Sequence, residues 1–230
     1  MAALLRNLLR HCLLSGFILA SIGSSVAAER YDNGSCNIDA GVLNKQYDNR
    51  LDYQNKHTDT DFFLLVYSNS PRFCEYMARK KRDRGVKFQC QSDNEFGWVI
   101  HGLWGESEKA YKSGNNKGHP RFCKGDLKPL PLETIKPYLC MSPGTKLLQG
   151  QWEKHGACDF DDPEEYFDKT LSLAQQFTVP PGELSAKRAV RWMREKNPEL
   201  KHIWLHQTRH EFGICFDKQF NVMSCPRKGR

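Results

Sequence analysis

Cysteine residues constrain the fold of this chain more than any other feature. Nine cysteines occur in 230 residues, and no two of them have CxxC spacing, which argues against a structural zinc site. Cys12 lies in an apolar N-terminal stretch, and the other eight are spread through the rest of the sequence. An even number in an exported chain predicts four disulfides, although the spacing leaves their pairing open. The eight residues are Cys36, Cys74, Cys90, Cys123, Cys140, Cys158, Cys215 and Cys225.

The first residues have the pattern of a secretory signal peptide. Arg6 and Arg10 precede the apolar stretch CLLSGFILASIG, which is followed by the small residues SSVAA. The apolar stretch is shorter than the ~20 residues needed to cross a bilayer, which argues against a membrane anchor. We therefore predict a signal peptide over residues 1–28, cleaved after Ala28. The mature domain, residues 29–230, would be exported, either periplasmic or secreted, and free of the membrane.

The charge of the chain suits a polyanionic partner without requiring one. The formal net charge is +7, an excess that exported proteins without such a partner also show. The densest basic cluster is RKKRDRGVK at residues 79–87. It is typical of a solvated loop or helix end, and the alternative is a surface that attracts phosphate groups.

Apolar periodicity predicts two strands in the first half of the chain. DFFLLVYS, residues 61–68, is a short apolar run typical of a buried strand. FGWVIHGLW, residues 96–104, places Val99, His101 and Leu103 on one alternating face and should end as a strand near Gly102. Residues 105–131 are rich in glycine and proline and should form a long loop.

The second half of the chain predicts helices followed by strands. Asp162 can cap a helix that begins at Pro163, and apolar residues follow at helical spacing. The segment GELSAKRAVRWMREKNP predicts another helix, which ends before Pro198. IWLHQTRHEFGICFD and FNVMSCP should be two strands joined by a turn at 217–219. With no internal repeat and no second boundary, the sequence predicts a single α+β domain.

Two segments carry histidines in suggestive surroundings. In QWEKHGAC, residues 151–158, a helix would place Gln151, Lys154, His155 and Cys158 on one face, whereas Glu153 would point away. The earlier segment WVIHGLW holds another histidine between glycine and aromatic residues. One such histidine is more often structural than catalytic. When two histidines have similar neighbours, a catalytic pair becomes about as strong an interpretation as two structural residues.

RNA cleavage by transphosphorylation uses this set of side chains. A neutral histidine removes the proton of the ribose 2′-OH, and a protonated histidine donates to the departing 5′ oxygen. A lysine offsets the charge on the five-coordinate phosphorus, and a tryptophan offers a stacking surface to an unpaired base. This chemistry needs no metal or other cofactor.

The two histidine segments resemble the active-site segments of the ribonuclease T2 family. VYSNSPRFCEY and the C-terminal EFGICFD also resemble family stretches, so the resemblance spans about residues 61–225. It implies an α+β domain with a central antiparallel sheet flanked by helices, acting as a monomer on single-stranded RNA with little base specificity. It assigns base to His155, acid to His101, phosphorane stabilisation to Lys154, base binding to Trp104 and support of the site to Trp98. The implied products are 2′,3′-cyclic phosphates and then 3′-phosphates.

The resemblance also implies part of the disulfide pattern. Cys123 should pair with Cys158, and Cys215 with Cys225. The other four cysteines would form the remaining two bridges, and a bridge from Cys74 to Cys90 is favoured. The other two are Cys36 and Cys140.

Three departures from the family pattern bear on activity. Gln151 stands where the family usually has glutamate, and Gly150 stands where many members have a histidine that contacts phosphate. Gly105 replaces a usual proline and, with Glu106 next to it, puts the nucleotide preference of the base pocket in doubt. Tyr111 remains able to stack on a base. We expect reduced or altered activity rather than none.

Two other functions compete with a ribonuclease. The losses at positions 150 and 151 favour, as one alternative, an exported module that binds RNA or protein without cleavage. The second alternative is a metal-dependent hydrolase, because His202, His206 and His210 recur at a spacing of four. On a strand these three histidines would spread over ~26 Å, too far for one ion.

Overall fold

The computed structural model of the protein describes residues 36–39, 41, 43–48, 51–81 and 85–227. The predicted signal peptide, residues 1–28, lies outside them, so cleavage after Ala28 and the N-terminal domain boundary stay predictions. Among the residues described, no helix combines the length and the apolar character needed to cross a membrane.

The described residues form one antiparallel sheet with β1 at its centre. β1 pairs with β2 on one side and with β4 on the other, and β4 also pairs with the short strands β3 and β5. This arrangement confirms the predicted α+β fold with a central antiparallel sheet. The strands are β1 (Phe62–Asn69), β2 (Trp98–Glu106), β3 (His206–Gln207), β4 (Glu211–Phe216) and β5 (Val222–Met223).

The unbroken apolar run of β1 reflects its burial on both faces. Alternate residues from Phe63 to Tyr67 belong to the main core beneath the helices. The intervening residues, from Phe62 to Val66, face a smaller apolar cluster that includes Tyr111. A strand covered on both sides has no polar face, so its sequence does not alternate.

β2 contains an irregularity at the first histidine segment. Val66 pairs with Gly102 and Tyr67 pairs with Ile100, so His101 is an extra residue that bulges from the ladder. The bulge shifts the alternation by one residue, and Leu103 therefore joins Ile100 in the main core. The prediction that Leu103 shares a face with His101 was wrong for this reason. The predicted end near Gly102 was also wrong, because the strand continues to residue 106.

Helices flank the sheet and follow one another along the chain. They are α1 (Ser70–Arg79), α2 (Lys87–Cys90), α3 (Glu108–Ser113), α4 (Leu132–Ile135), α5 (Thr145–Gln151), a π-helical turn (Trp152–Gly156), α6 (Ala157–Asp159), α7 (Pro163–Ala174) and α8 (Ala186–Lys196), with 3-10 turns at Asn116–Gly118, Lys136–Tyr138 and Pro198–Leu200.

Several sequence signals predicted these elements well. The carboxylate of Asp162 accepts hydrogen bonds from the backbone N–H of Glu164 at 2.8 Å and of Glu165 at 3.1 Å, which confirms it as the N-cap of α7. The predicted later helix is α8, which ends two residues before Pro198. The basic cluster begins at the end of α1, because Arg79 is the last residue of that helix.

Two predicted elements were wrong in detail. The long loop predicted over 105–131 contains α3 and a 3-10 turn, and α3 packs Tyr111 against Phe62 of β1. The single strand predicted over 203–217 is a hairpin, since Thr208 N–H donates to the Glu211 carbonyl and reverses the chain between β3 and β4. The predicted turn after residue 217 is confirmed, and it connects β4 to β5.

Four disulfides connect the described parts of the chain. Cys123 pairs with Cys158 and Cys215 with Cys225, as the family resemblance implied. The favoured bridge from Cys74 to Cys90 is also present, and the fourth bridge joins Cys36 to Cys140.

Candidate active site

A cavity of about 350 Å³ brings the two histidine segments together. It lies over the β2 edge of the sheet, between the π-helical turn, α3 and the β3–β4 hairpin. Its walls include most of the residues predicted for the site, namely His101, Trp104, Glu106, Tyr111, Gln151, Lys154 and His155.

The bulge in β2 directs His101 toward this cavity and toward a carboxylate. His101 Nδ1 lies 2.6 Å from Oε1 of Glu211, the first residue of β4. Burial raises the pKa of Glu211, but the hydrogen bond with His101 and the nearby positive charges outweigh burial, so its pKa lies below the usual value. The carboxylate is therefore ionised at neutral pH and holds the Nδ1 side of the ring. Nε2 is left as the ring nitrogen available to a substrate.

The second histidine segment is helical, as predicted, but it winds as a π-helix. Trp152–Gly156 form this wider turn between α5 and α6, and π-turns inside helices are frequent at functional sites. A Cβ atom at Gly156 would come within 2.7 Å of the Tyr166 ring, so glycine is needed where the turn packs on α7. The wide turn carries Lys154 and His155 into the cavity wall.

Trp104 links the two histidines. Its ring stacks on His155 with a centroid distance of 5.1 Å and an interplanar angle of 14°, and it meets the edge of His101 at the same distance. Its indole Nε1 donates a hydrogen bond to Gln151 Oε1 at 2.7 Å. The side-chain oxygen of Gln151 is thus engaged, and its amide group remains as a hydrogen-bond donor at the cavity.

His155 is held in its neutral form. Its side chain is buried, and Nδ1 has no hydrogen-bond partner in the described part of the chain. Burial, followed by the positive charges of Arg121 and Lys154, keeps the pKa of His155 well below its usual value. A neutral imidazole among cations can accept a proton, and an anionic ligand would favour that transfer.

Glu106 does not offer a free carboxylate to a base. Its Oε1 accepts a hydrogen bond from Arg121 Nη2 at 2.6 Å, and its Oε2 lies 2.5 Å from His119 Nδ1. All three side chains are buried. Arg121 also donates to the Gly105 carbonyl at 2.7 Å. Glu106 lies in the cavity wall, where both of its carboxylate oxygens already contact side chains of the protein.

Glycine at position 105 follows from the same packing. A Cβ atom there would come within 2.4 Å of both Thr60 Oγ1 and Asp159 Oδ2, which hydrogen-bond to each other at 2.9 Å. A proline would meet the same atoms. The departure from the family proline is thus matched by two side chains that occupy its space.

Tyr111 and Lys154 both line the cavity. The Tyr111 hydroxyl is 2.5 Å from His206 Nδ1, and burial together with the charge of Glu106 raises its pKa to about 12. Lys154 Nζ is 3.5 Å from Asp52 Oδ2 and 5.5 Å from the centroid of the Tyr53 ring. Lys154 is partly exposed, so it can leave this weak pairing for a phosphate group.

Some predicted residues lie elsewhere. Trp98 is buried against Phe212 in the main core and does not reach the cavity wall, so it supports the sheet rather than binding substrate. Glu153 hydrogen-bonds to Gln149 in the interior, as its predicted direction implied. Of the three C-terminal histidines, His206 lines the cavity. The described residues contain no group of three or more histidine, cysteine or carboxylate side chains placed to hold a metal.

Several residues of the cavity escaped sequence reasoning. Glu211 is 110 positions from His101, and sequence spacing cannot reveal such a pair. His119 and Arg121 lie in a stretch that was predicted to be loop, and their meeting with Glu106 depends on that stretch folding back over β2.

Comparison with known proteins defines the class of this fold and site. The model of the ribonuclease T2 family matches residues 60–190, and the chain belongs to that family. A probable ribonuclease of Haemophilus influenzae is 42% identical over 178 residues, a match that covers 76% of this chain and 64% of the Haemophilus protein. Ribonuclease Oy of Magallana gigas is 27% identical over 165 residues, which cover 59% of this chain and 78% of that protein.

Solved structures share the fold at lower identity. An RNase-related protein from Calystegia sepium has a TM-score of 0.55 at 19% identity, with 75% of this chain and 93% of that chain covered. RNase NT in complex with 5′-AMP has a TM-score of 0.50 at 18% identity, covering 75% of this chain and 94% of that one. A variant of RNase MC1 in complex with 5′-UMP has a TM-score of 0.51 at 17% identity, with coverages of 75% and 96%.

Proposed function

We propose that the protein is an exported endoribonuclease that cleaves single-stranded RNA by metal-independent transphosphorylation. The observation that carries this proposal is the pairing of two histidines in unlike electrostatic surroundings within one cavity. His155 is buried among cations, whereas His101 is held by the ionised carboxylate of Glu211. Acid–base catalysis by two groups needs such a difference, because one must hold a proton while the other lacks one.

In the first step, His155 takes the proton from the ribose 2′-OH. The 2′ oxygen attacks phosphorus, and the bond from phosphorus to the 5′ oxygen breaks. The protonated His101 gives its proton from Nε2 to that departing oxygen, which leaves a 2′,3′-cyclic phosphate. In the second step His101 takes a proton from water, the water oxygen attacks phosphorus, the bond from phosphorus to the 2′ oxygen breaks, and His155 returns its proton to that oxygen, which leaves a 3′-phosphate.

Two further side chains would stabilise the charge on phosphorus. Lys154 lines the same cavity as His155 and can place its ammonium near a non-bridging oxygen of the phosphate. Gln151 can donate its amide N–H to the same phosphate while its oxygen remains bonded to Trp104. A glutamine cannot take up a proton, so we expect its contribution to be electrostatic and smaller than that of the family's glutamate.

The proposed substrate is single-stranded because an unpaired base can enter the cavity and stack. Trp104 and Tyr111 offer aromatic surfaces on two walls. RNase NT and the RNase MC1 variant hold single nucleotides, 5′-AMP and 5′-UMP, which is in keeping with a site for one base at a time. Low base specificity is what the family resemblance implies, and both carboxylate oxygens of Glu106 are already engaged by Arg121 and His119.

Export is part of the proposal and rests on two observations. The N-terminal sequence has the pattern of a signal peptide, and four disulfides join the described residues. Disulfides persist in oxidising compartments such as the periplasm or the extracellular medium.

The test is cleavage of single-stranded RNA by the oxidised mature protein in the presence of EDTA. We expect products that end in cyclic phosphate, and a loss of about 10³-fold in kcat for His155→Ala and for His101→Ala. His202→Ala is the matched control, because His202 is exposed and lies outside the cavity wall.

The competing function is a module that binds RNA without cleavage, and Gln151 is the observation that favours it. Tight binding of RNA by the wild-type protein with no cleavage at any pH between 4 and 8 would establish that alternative. Cleavage that EDTA abolishes would contradict the two-histidine mechanism.

A further inference from the structure

A second concave surface lies on α8, outside the catalytic cavity. This basic groove has a volume of about 690 Å³. Four cations and one carboxylate line it together with smaller side chains. The charged residues are Lys187, Arg191, Arg194, Lys201 and Glu195.

The spacing of the cations along α8 gives the groove its positive charge. Lys187, Arg191 and Arg194 stand at positions i, i+4 and i+7, so they project from one face of the helix. Like charges at this spacing repel one another and weaken a helix, so the arrangement does not serve stability. Among the described residues, Lys187, Arg191 and Lys201 take part in none of the ion pairs within 4.0 Å. The groove therefore presents a positive charge that the protein itself does not neutralise.

Trp204 orders two guanidinium groups at the edge of the groove. It is 48% exposed, which is unusual for a tryptophan. The guanidinium carbon of Arg194 lies 5.8 Å from its ring centroid, and that of Arg227 lies 5.1 Å from the same centroid. Arg194 Nε also donates to the Ile203 carbonyl at 3.0 Å. Fixed guanidinium planes lose less entropy when they bind phosphate or stack on a base.

The groove and the catalytic cavity meet at one strand. β3 has two residues, of which His206 lines the cavity and Gln207 lines the groove. Successive side chains of a strand point to opposite faces, so the two surfaces lie on either side of this edge strand. A polynucleotide with one nucleotide in the cavity can pass around β3 and lay its next phosphates in the groove.

We propose that the basic groove binds the phosphodiester backbone of RNA beyond the nucleotide that is cleaved. This inference rests on the proposed ribonuclease activity and adds to it a preference for long substrates over dinucleotides. The contacts are to phosphate, so they carry no base specificity.

The test compares two substrates and two triple variants. The groove variant is Lys187→Gln, Arg191→Gln and Lys201→Gln. Its matched control is Lys128→Gln, Lys136→Gln and Lys218→Gln, which removes the same charge from exposed lysines outside both surfaces. The substrates are a dinucleoside monophosphate and a single-stranded RNA of about 20 nucleotides.

We expect the groove variant to cleave the dinucleotide as the wild type does and to lose about tenfold in kcat/KM on the longer RNA at ~0.1 M salt. The slope of log affinity against log salt for the longer RNA should fall by about 2, because three contacts with single-stranded RNA contribute ~0.7 each. Equal losses for the groove variant and the control would overturn the proposal.

Binding measurements separate this inference from the ribonuclease proposal. Fluorescence anisotropy with the longer RNA and EDTA needs no catalysis, so weaker binding by the groove variant alone supports the groove even if the wild-type protein does not cleave. A groove that serves a membrane would give the opposite pattern. In that case the variant would lose binding to phosphatidylglycerol vesicles and keep its affinity for RNA, and the proposal would be wrong.

Discussion

Replacing Gln151 by glutamate tests the electrostatic account of the site most directly. Gln151 Oε1 accepts the Trp104 indole N–H at 2.7 Å, and a glutamate oxygen can accept it equally well. The substitution therefore keeps the hydrogen bond and adds one negative charge beside His155. That charge would oppose the cations that, after burial, contribute to the low pKa of His155.

The size of the effect follows from the geometry. The oxygen of residue 151 touches the Trp104 ring, whose centroid is 5.1 Å from that of His155. A unit charge about 6 Å from the imidazole is worth about 2 to 3 kcal/mol at an effective dielectric constant of ~20. This energy corresponds to an increase of about 1.5 to 2 units in the pKa of His155.

The assay is the pH profile of kcat/KM on RNA. In the proposed mechanism His155 must be unprotonated to act as the base, so activity should fall as the pH drops through its pKa. In the wild-type protein this acid limb should lie below the usual histidine pKa. In Gln151→Glu it should move to higher pH by about 1.5 to 2 units, with kcat/KM falling about tenfold per unit at a pH below both limbs.

Gln176→Glu is the matched control, because it adds the same charge at an exposed position after α7. Its acid limb should coincide with that of the wild type. An acid limb that stays in place in Gln151→Glu, or that moves to lower pH, would refute the assignment of the base to His155.

Three further predictions concern single contacts. Glu211→Gln keeps an acceptor for His101 but removes the charge, so kcat should fall at least about tenfold while the melting temperature stays within a few degrees. Lys154→Gln should lower kcat about 100-fold and change KM little, because in the proposed mechanism the ammonium acts on the transition state; single-turnover cleavage checks this. Serine at both Cys123 and Cys158 should cost about 4 kcal/mol in guanidinium unfolding, since that bridge closes a separation of 35 residues.

Local signals in the sequence predicted much of the fold. Asp162 ahead of proline marks the start of α7 because a helix N-terminus needs a side-chain acceptor, and that need is met within three residues. The apolar run of β1 marks a buried strand for an equally local reason. The disulfide pairing was predictable only through the family resemblance, since any of the cysteines could meet in an unknown fold.

The geometry of the site was less predictable because it depends on irregular backbone. His101 reaches the cavity through a bulge in β2, and His155 through a π-helical turn. Neither irregularity leaves a periodic signal, because each consists of one extra residue in a regular element. The partners of the histidines, Glu211 and Arg121, come from distant segments, and only the folded chain brings them near.

Gly102 shows how the two irregular segments depend on each other. A Cβ atom at this position would lie 1.9 Å from Gln151 Oε1 and 2.8 Å from Trp104 Nε1, so glycine there provides the space in which their hydrogen bond forms. Gly102→Ala should therefore displace the Gln151 side chain and lower kcat. In a Gln151→Ala background, which already lacks the displaced group, the same alanine should cost much less. A double-mutant cycle in kcat/KM should give a coupling of at least about 1 kcal/mol, and additive effects would contradict the steric explanation.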